Sequence, residues 1–336
     1  MTTLLDTLPA VTNAERARIL SAPRTAEAHR ALMADIPAMT ALQTGGAATQ
    51  DTLPDTLSVI AWNVERCLFP QDSARHIAPL EPQVVLLSEV DHGMARTCQR
   101  HTTADMARAL GMTYVFGVEF FELDLGGPTE MAFCRDDFNA LGWHGNAILS
   151  AVPPQRVTLI RLDDHGHWFN GNDGAGDPQQ PRLGGRMAIA AVLPSQTGPV
   201  CVVSPHLESN ASAQHRHEQF AVLLDALEEF APGMPVVIGG DLNTGNHLPP
   251  RFDWRDETLF SLAETRGYDW SATPAGVTTR PSLITPHPER RMKLDWFCTR
   301  GLNCFENRLL PAIDTDSRPL SDHEAIWCRL NLASGP

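Results

Sequence analysis

A strand-like apolar segment that ends abruptly in polar side chains is the feature of this sequence that most constrains its fold. The segment lies in residues 235–247, PVVIGGDLNTGNH. Three β-branched residues at 236–238 are suited to a buried strand, and the two glycines after them let the backbone turn tightly. Asp241 and Asn243 then lie two positions apart, so their side chains face the same way on an extended backbone, as the ligands of a hard cation or of an attacking water would. The alternative is an Asx-rich turn that only closes a core strand.

The same arrangement, in which a polar residue follows an apolar strand, recurs at three other places. The run LSVIAWNVER alternates like a largely buried β-strand and ends at Asn63 and Glu65. The run PQVVLLS delivers Glu89 at its end, either as a solvated strand terminus or as a ligand. The run VCVVSPHLES places His206 at a strand end, where the alternatives are a structural and a catalytic role. The repetition favours a functional site over a set of unrelated turns.

Three more candidates lie near the C-terminus. We expect residues 292–297, MKLDWF, to form a strand with Asp295 embedded among apolar neighbours. A buried carboxylate needs a partner, and a catalytic histidine is a natural one. Asp322 and His323 are adjacent just before the final strand. In a turn, this adjacency lets one of them ligate a metal while the other faces the substrate.

Composition excludes several classes of protein. The 336 residues contain no Gly/Ser-rich or charged linker, so we expect one large α/β domain with a substantial core. The net charge of −14 argues against a surface that grips the phosphate backbone of long nucleic acids. The seven cysteines are odd in number, scattered and without a C-x-x-C pair, which argues against a disulfide framework or a zinc knuckle. We expect buried thiols in a reducing compartment.

The N-terminal segment has a different character from the rest of the chain. We expect residues 1–50 to be an N-terminal helical extension and residues 51–336 to be the catalytic domain. Thr12 or Asn13 can cap a first helix and Thr25 a second, with 45–50 as the connecting loop. No basic region precedes an apolar run here, and nowhere are there 18 consecutive apolar residues. These absences predict a soluble, cytoplasmic protein without a membrane partner.

Candidate substrate contacts lie in loops. Residues 161–186 form the longest irregular stretch, and loops of more than about 15 residues in a compact domain are usually functional or disordered. The side chains of His167 and Arg186 in this stretch, with those of His165, Trp168 and Arg182, can bind anions and stack on rings. Asn146, in HGNAILS, can hold a phosphate oxygen or a loop. Asp91 and Arg96 can contact substrate or form a surface salt bridge.

Seven short segments, taken in their order along the chain, resemble the motifs of the endonuclease/exonuclease/phosphatase superfamily. The matching segments are WNVE at 62–65, SEV around Glu89, HGNAILS at 144–150, SPHLES around His206, GGDLN around Asp241, LDWF around Asp295 and SDH at 321–323. The resemblance covers about residues 57–332. It implies a four-layer α/β/β/α sandwich of two mixed β-sheets flanked by helices, with a metal site at one end of the sheets.

The resemblance also implies a metal site and its ligands. Glu89, with Asn63 beside it, would bind Mg²⁺ or Mn²⁺. Asp241 and Asn243 would position the attacking water or hold a second metal, so one or two ions are expected. Asp322 would belong to the same cluster. A cation here would neutralise charge on phosphorus.

Catalytic roles follow from the same resemblance. His323 would act as general base or stabilise the phosphorane-like transition state, and Asp295 would hold it. His206 would hydrogen-bond a phosphate oxygen or protonate the leaving group. Asp241 and Asn243 complete the implied catalytic set.

Three hypotheses about function remain open at this point. The first is a metal-dependent hydrolase of a small phosphodiester or phosphomonoester, which the polar set and the acidic composition favour. The second is a nuclease acting on DNA or RNA, which calls for a basic groove. The third is a non-catalytic binding module of the same fold, which would be expected to lack one of the metal or proton-transfer groups.

Overall fold

The computed structural model describes residues 2–171, 177–246 and 253–332. Within these ranges the chain forms fourteen strands, which are β1 (Thr3–Leu5), β2 (Ala41–Gly46), β3 (Thr56–Arg66), β4 (Val84–His92), β5 (Thr113–Glu122), β6 (Trp143–Ser150), β7 (Arg156–Arg161), β8 (Arg182–Gly184), β9 (Met187–Leu193), β10 (Val200–His206), β11 (Val236–Asp241), β12 (Asp295–Arg300), β13 (Leu302–Leu310) and β14 (Ala325–Leu332). It also forms eight α-helices, which are α1 (Asn13–Ser21), α2 (Ala26–Asp35), α3 (Pro70–Ile77), α4 (Thr102–Leu110), α5 (Pro128–Met131), α6 (His167–Asn170), α7 (Ala213–Phe230) and α8 (Leu259–Thr265). None of these helices is long and apolar enough to cross a lipid bilayer.

The strands form two mixed sheets. The larger sheet has the order β1-β2-β5-β6-β4-β3-β14-β13, with β8 paired to β5 outside this path. The smaller sheet has the order β12-β11-β10-β9-β7. Each sheet contains a parallel pair in its interior, β3 with β4 in the larger and β10 with β11 in the smaller. Parallel neighbours end at the same edge of a sheet, so residues at their carboxyl ends are brought close together.

Buried apolar side chains in the described part of the chain fall into three clusters, which define the layers. Val59, Ala61 and Val237 belong to the cluster between the two sheets. Ile60 and Trp62, which alternate with them on β3, face the other way and pack with residues of α1 to α4. The third cluster lies between the smaller sheet and the helices α7 and α8. The predicted alternation in β3 and the predicted four-layer sandwich of two mixed sheets flanked by helices are both confirmed.

The N-terminal segment extends the larger sheet. Helices α1 and α2 form as predicted, with Thr12 and Thr25 as their capping residues. The expectation of helices alone, followed by a loop from Gly45, is wrong. Strand β2 pairs antiparallel with β5, and β1 pairs parallel with β2. Leu8 and Ile19 are buried in the cluster that covers the outer face of the larger sheet, so the extension shares a core with the rest of the chain.

Two further expectations differ from the structure. Asp295 is the first residue of β12, so residues 292–294 precede the strand and the carboxylate is not embedded within it. The stretch 161–186 is less irregular than predicted, because it contains the one-turn helix α6 and the short strand β8. Residues 172–176 of that stretch, and His247 at the end of the segment 235–247, lie outside the described residues.

Two stacked histidines lie where β4 of the larger sheet ends and just before α4 begins. The rings of His92 and His101 are 3.8 Å apart and within 13° of parallel, with Phe116 edge-on to both. Neither ring nitrogen of His101 has a hydrogen-bond partner in the described residues. Burial lowers the pKa of His92 to about 4. Burial and repulsion from His92 lower the pKa of His101 to about 2.

We therefore expect the protein to lose stability as pH falls below about 6.5. Folded-state pKa values below those of the unfolded chain mean that the unfolded state binds more protons, so stability is fully present above pH 6.5 and declines beneath it. At pH 4.5 the loss is about 2 to 3 kcal/mol for each ring. His101→Phe should make the melting temperature less dependent on pH between 7 and 4.5, whereas replacing the exposed His287 by Phe should not. Equal acid sensitivity in all three proteins would contradict this.

Candidate active site

The pairing of the strands brings the predicted polar residues to one end of the sandwich. His206, at the end of β10, is opposite Asp241, at the end of its parallel neighbour β11. Strand β12 runs antiparallel to β11, so its first residue, Asp295, is also opposite Asp241. From β3 in the other sheet, Asn63 reaches the same carboxylate. Side chains from four strands and both sheets therefore meet around Asp241.

A bulge in the larger sheet turns Glu89 into this cluster. The pairing of β3 with β4 is regular as far as Asn63 and Ser88 and resumes at Arg66 and Val90. Two residues of β3 but only one residue of β4, Glu89, lie between these two pairs. Glu89 has a φ of 58°, in the left-handed region that a residue with a Cβ rarely adopts. Bulges of this kind re-aim a side chain and are common beside active sites. The strand runs past Glu89, so this carboxylate is delivered by the bulge rather than by a strand end.

Asn63 links the two sheets through its amide group. Its Nδ2 donates to Oε1 of Glu89 and to Oδ2 of Asp241, both at 3.0 Å. Its Oδ1 accepts a hydrogen bond from the backbone N–H of Glu65 at 3.1 Å. The side chain is fully buried. Asn63 therefore holds two of the predicted metal-binding carboxylates at a fixed separation.

Two histidines approach Asp241, and each is held by a second carboxylate. The Nε2 atoms of His206 and His323 each lie 3.6 Å from Oδ2 of Asp241. Nδ1 of His206 lies 3.0 Å from Oε2 of Glu119, and Nδ1 of His323 lies 2.8 Å from Oδ2 of Asp295. All five side chains are buried. A carboxylate on Nδ1 fixes the ring orientation and leaves Nε2 facing the cluster.

The charges around His323 favour its protonated form. Burial opposes protonation, but Asp295, Asp241 and Asp322 together raise the pKa of His323 well above its ordinary value. The carboxylates are in turn crowded. Burial raises the pKa of Asp241 in spite of the attraction of His323, and repulsion from Asp295 raises it further. Burial and repulsion from Glu89 raise the pKa of Asp322, although His323 opposes this.

Glu89 is the carboxylate of the cluster that stays ionised most readily. Burial works against ionisation, but the Arg66 guanidinium, followed by His144 and His206, holds the pKa of Glu89 well below its usual range. Arg66 forms an ion pair with Glu89 and donates from Nε to Oε1 of Glu130 at 2.9 Å. The side chains of Arg66 and Glu89 remain 17% and 20% exposed, so the pair lies at the mouth of the site.

The donor set fits a hard divalent cation. Carboxylate and carboxamide oxygens are the ligands that Mg²⁺ and Mn²⁺ prefer. Ligand atoms of Asp241, Asp295 and His323 lie within 4.8 Å of one another, and Oδ1 of Asp295 has no hydrogen-bond partner in the described residues. A cation would also relieve the repulsion that raises the pKa of Asp241 and Asp322. The carboxylate groups of this cluster can therefore bind a divalent metal.

The remaining predicted ligands lie close to the same group. Asn243, with a φ of 49°, donates its backbone N–H to Oδ1 of Asp241 at 2.9 Å and its Nδ2 to the carbonyl of Leu207 at 3.0 Å. Oδ1 of Asp322 lies 4.0 Å from Nε2 of His323. Asn243 thus braces Asp241, while the Asp322 carboxylate faces the ring of its neighbour.

The three predicted substrate contacts are used differently. Arg186 is buried, and its guanidinium bonds to Oε1 of Glu119 at 2.9 Å, to Glu208 and to the ring of His206. It braces His206 from within the protein and does not offer a free guanidinium. The ring of His167 bonds to the carbonyl of Asn210 at 2.6 Å.

Asn146 lies on β6, which pairs with β4 across the bulge at Glu89. The Nδ2 of Asn146 donates to the carbonyl of Met187 at 3.1 Å, which links the two sheets. Its Oδ1 is buried and has no hydrogen-bond partner in the described part of the chain. Asn146 therefore keeps a free acceptor next to the strand that carries Glu89.

Sequence reasoning missed Glu119 and misjudged a buried ionic network. Glu119 lies in the apolar run VFGVEFFE, and a charged residue among apolar neighbours was the signal that singled out Asp295. Asp91 and Arg96 form a buried ion pair, not the surface salt bridge that was the alternative. Both are buried, and the Arg96 guanidinium forms ion pairs of 2.8 Å with the carboxylates of Asp91, Glu122 and Glu130. Glu130 also holds Arg66, so this network supports the mouth of the site.

Solved structures share the fold. An endonuclease/exonuclease/phosphatase protein from Beutenbergia cavernae aligns with a TM-score of 0.60 and 21% sequence identity, covering 84% of this chain and 72% of that one. The human Nocturnin catalytic domain aligns with a TM-score of 0.54 and 18% identity, covering 86% of this chain and 97% of that one. Both likenesses show the same sandwich architecture.

Sequence comparison identifies the family directly. The Escherichia coli K12 protein YbhP, whose function is uncharacterised, is 26% identical over 205 residues, which are 61% of this chain and 69% of that protein. The profile of the endonuclease/exonuclease/phosphatase family matches residues 60–323, a range that contains every side chain of the cluster around Asp241. The chain therefore belongs to the endonuclease/exonuclease/phosphatase family, whose members are generally hydrolases of phosphoester bonds.

Proposed function

We propose that this protein is a divalent-metal-dependent hydrolase of small phosphoesters. One observation carries the proposal: two imidazoles, each backed by its own carboxylate, lie at the same distance of 3.6 Å from Oδ2 of Asp241. A purely structural role does not require two oriented histidines around one buried carboxylate. Hydrolysis at phosphorus does require groups that accept and donate protons on opposite sides of one reacting centre.

Ester hydrolysis needs a base near the attacking water. Mg²⁺ or Mn²⁺, held by Glu89, Asp241 and Asp322, would supply charge neutralisation on phosphorus. Asp241 is suited to accept the proton of the attacking water, because its buried carboxylate lies at the centre of the cluster, 3.6 Å from the Nε2 atoms of both histidines. The Asn243 N–H, bonded to Oδ1 of Asp241, keeps that carboxylate oriented.

The leaving group needs a proton donor. When water attacks phosphorus, the bond from phosphorus to the ester oxygen breaks and that oxygen takes up a proton. His323, kept protonated by its three acidic neighbours, is suited to donate this proton or to stabilise negative charge on the phosphoryl oxygens. His206, oriented by Glu119, is suited to hydrogen-bond a second phosphate oxygen.

Charge and packing support a small substrate over a polymeric one. Acidic residues outnumber basic ones 40 to 26, and a nuclease gains affinity from each phosphate that Lys or Arg neutralises. The segment around His167 and Trp168 packs against the residues that follow His206, with Trp168 donating to Glu208 at 3.0 Å. It therefore lies beside the catalytic end of the sandwich, where it can narrow the entrance.

The test compares two substrates at fixed metal concentration. We expect turnover of bis(p-nitrophenyl) phosphate with Mg²⁺ or Mn²⁺ and little nicking of plasmid DNA. The matched control is an Asp241→Asn protein with an unchanged melting curve, which should be inactive toward both. Efficient DNA cleavage with a steep dependence on salt would support the nuclease alternative. Binding of phosphoesters with no hydrolysis at any metal concentration would support the non-catalytic module.

A further inference from the structure

A cavity whose lining reaches to within two residues of Asp295 carries an unusual charge for this protein. Its volume is about 730 Å³, and residues 253–255, 275–277 and 291–293 line it. Three of these are cations, Arg255, Arg291 and Lys293, against one carboxylate, Asp253. The whole chain has a net charge of −14, so a cavity with an excess of positive charge needs an explanation.

The tryptophan in this cavity holds two of the cations in place. The Arg255 guanidinium lies 4.6 Å from the centre of the Trp254 ring, and Nζ of Lys293 lies 5.8 Å from it. Nζ of Lys293 also lies 4.2 Å from the centre of the Trp296 ring and donates to the carbonyl of Pro274 at 3.0 Å. Arg255 is also paired with Asp253 at 3.0 Å, so the positive charge that remains for an anion comes from Lys293 and Arg291.

Arg291 is the cation available to a ligand. It is exposed, and no hydrogen bond or ion pair joins its side chain to the part of the chain that the structure describes. Another cavity of similar volume, about 710 Å³, contains Arg16, but that guanidinium is already bonded to the carbonyls of Asn139 and Leu141. Arg291 therefore distinguishes the cavity beside Trp254, because its guanidinium is available to an anion that enters there.

The walls of the cavity are joined through the backbone and hydrogen bonds to the segments that carry the catalytic side chains. Lys293 lies two residues before Asp295, which is on the order of 7 Å along an extended backbone. Oγ1 of Thr244, the residue after Asn243, donates to the carbonyl of Lys293 at 2.8 Å. The N–H of Thr278 donates to the carbonyl of Met292, a residue of the cavity wall, at 2.8 Å. The N–H of Glu324, the residue after His323, donates to the carbonyl of Thr278 at 2.7 Å. A substrate phosphate at Asp241 and a second anionic group in the cavity would therefore be close neighbours.

We infer that the cavity formed by Trp254, Arg255, Arg291 and Lys293 binds a second anionic group of the substrate, so that the enzyme prefers small phosphoesters that carry another phosphate a short organic spacer away. This inference rests on the proposed hydrolysis of small phosphoesters. The volume suits a small-molecule group, since ligand pockets are commonly about 300 to 1,000 Å³. Paired cations recognise a phosphate through charge-assisted hydrogen bonds.

The test uses two esters that differ only in the second anion. They are thymidine 5′-(p-nitrophenyl phosphate) and the same ester with a 3′-phosphate, which share the scissile bond and the leaving group. We expect wild-type protein with Mn²⁺ to show a KM for the 3′-phosphorylated ester that is lower by at least roughly tenfold, because contacts with a charged group are worth that much. Arg291→Glu should remove this gain and leave kcat and the KM of the simple ester unchanged.

The matched control is Arg30→Glu, which makes the same charge change on an exposed position of α2. It should leave both KM values unchanged, and this separates the cavity from general electrostatic attraction. Equal KM values for the two esters in wild-type protein, or an unchanged preference in Arg291→Glu, would overturn the inference.

Calorimetric binding of thymidine 3′,5′-bisphosphate distinguishes this failure from failure of the proposed function. If no ester is hydrolysed but the bisphosphate binds to wild type and at least tenfold more weakly to Arg291→Glu, the anion site stands and the hydrolase proposal falls. If the bisphosphate binds equally to both proteins, or to neither, the anion site falls whatever the activity.

Discussion

Glu89→Gln is expected to remove the metal-dependent activity, lowering turnover of bis(p-nitrophenyl) phosphate by on the order of a thousandfold. The substitution keeps the size and shape of the side chain but deletes the charge that attracts a hard cation. Glu89 is the carboxylate whose pKa is held well below its ordinary range, so it is the group most fully charged when a cation arrives. Its position on a bulge and its hydrogen bond from Asn63 fix where this charge is presented.

The measurement combines kinetics with metal binding. Calorimetric titration with Mn²⁺ should show weaker binding to Glu89→Gln than to wild type, and excess chelator should abolish the activity of the wild-type protein. Glu81→Gln makes the same chemical change at an exposed position before β4 and should alter neither quantity. Full wild-type activity in excess chelator would exclude a metal-dependent reaction.

His323→Ala is expected to lower kcat by roughly a hundredfold or more, the usual contribution of a general acid or base. The ring is buried, held by Asp295 at 2.8 Å and directed at Asp241, so its removal takes away an oriented imidazole from the centre of the site. The exposed His287 provides the matched control, because His287→Ala also removes an imidazole but should leave kcat unchanged. A fully active His323→Ala protein with a normal melting curve would assign this residue a structural role.

The pH profile of kcat tests the role of Asp295 separately. Because the acidic neighbours raise the pKa of His323 well above its ordinary value of 6.5, the imidazolium persists to higher pH than an isolated histidine would. A proton donor is lost as pH rises through its pKa, so activity should decline on the alkaline side, at a pH above 6.5. Asp295→Asn removes the largest attraction and should move this decline to lower pH. An unchanged alkaline limit would contradict the assignment of His323 as the acid.

Much of the candidate site follows from the sequence because its strands are encoded locally. Apolar runs with β-branched residues end in Asn63, His206 and Asp241, and in the structure these residues lie within or at the end of strands. The alternation in β3 predicts that both of its faces are buried, and both are. Short-range patterns of this kind suffice to place a side chain on an element, because the period of a strand is a local property.

Tertiary structure decided which side chains meet and what each one is free to do. Glu119 holds His206 across 87 residues, and Asn63 reaches Asp241 across 178, distances over which no sequence period carries information. The bulge at Glu89 arises from unequal pairing between two strands, so neither strand alone predicts it. Arg186 was a candidate substrate contact, but packing against Glu119 and Glu208 made it an internal brace, because a buried guanidinium must find its partners inside the protein. The sequence by itself thus determined the strands and the chemical groups at their ends, and only the assembly of the two sheets determined the partners of those groups.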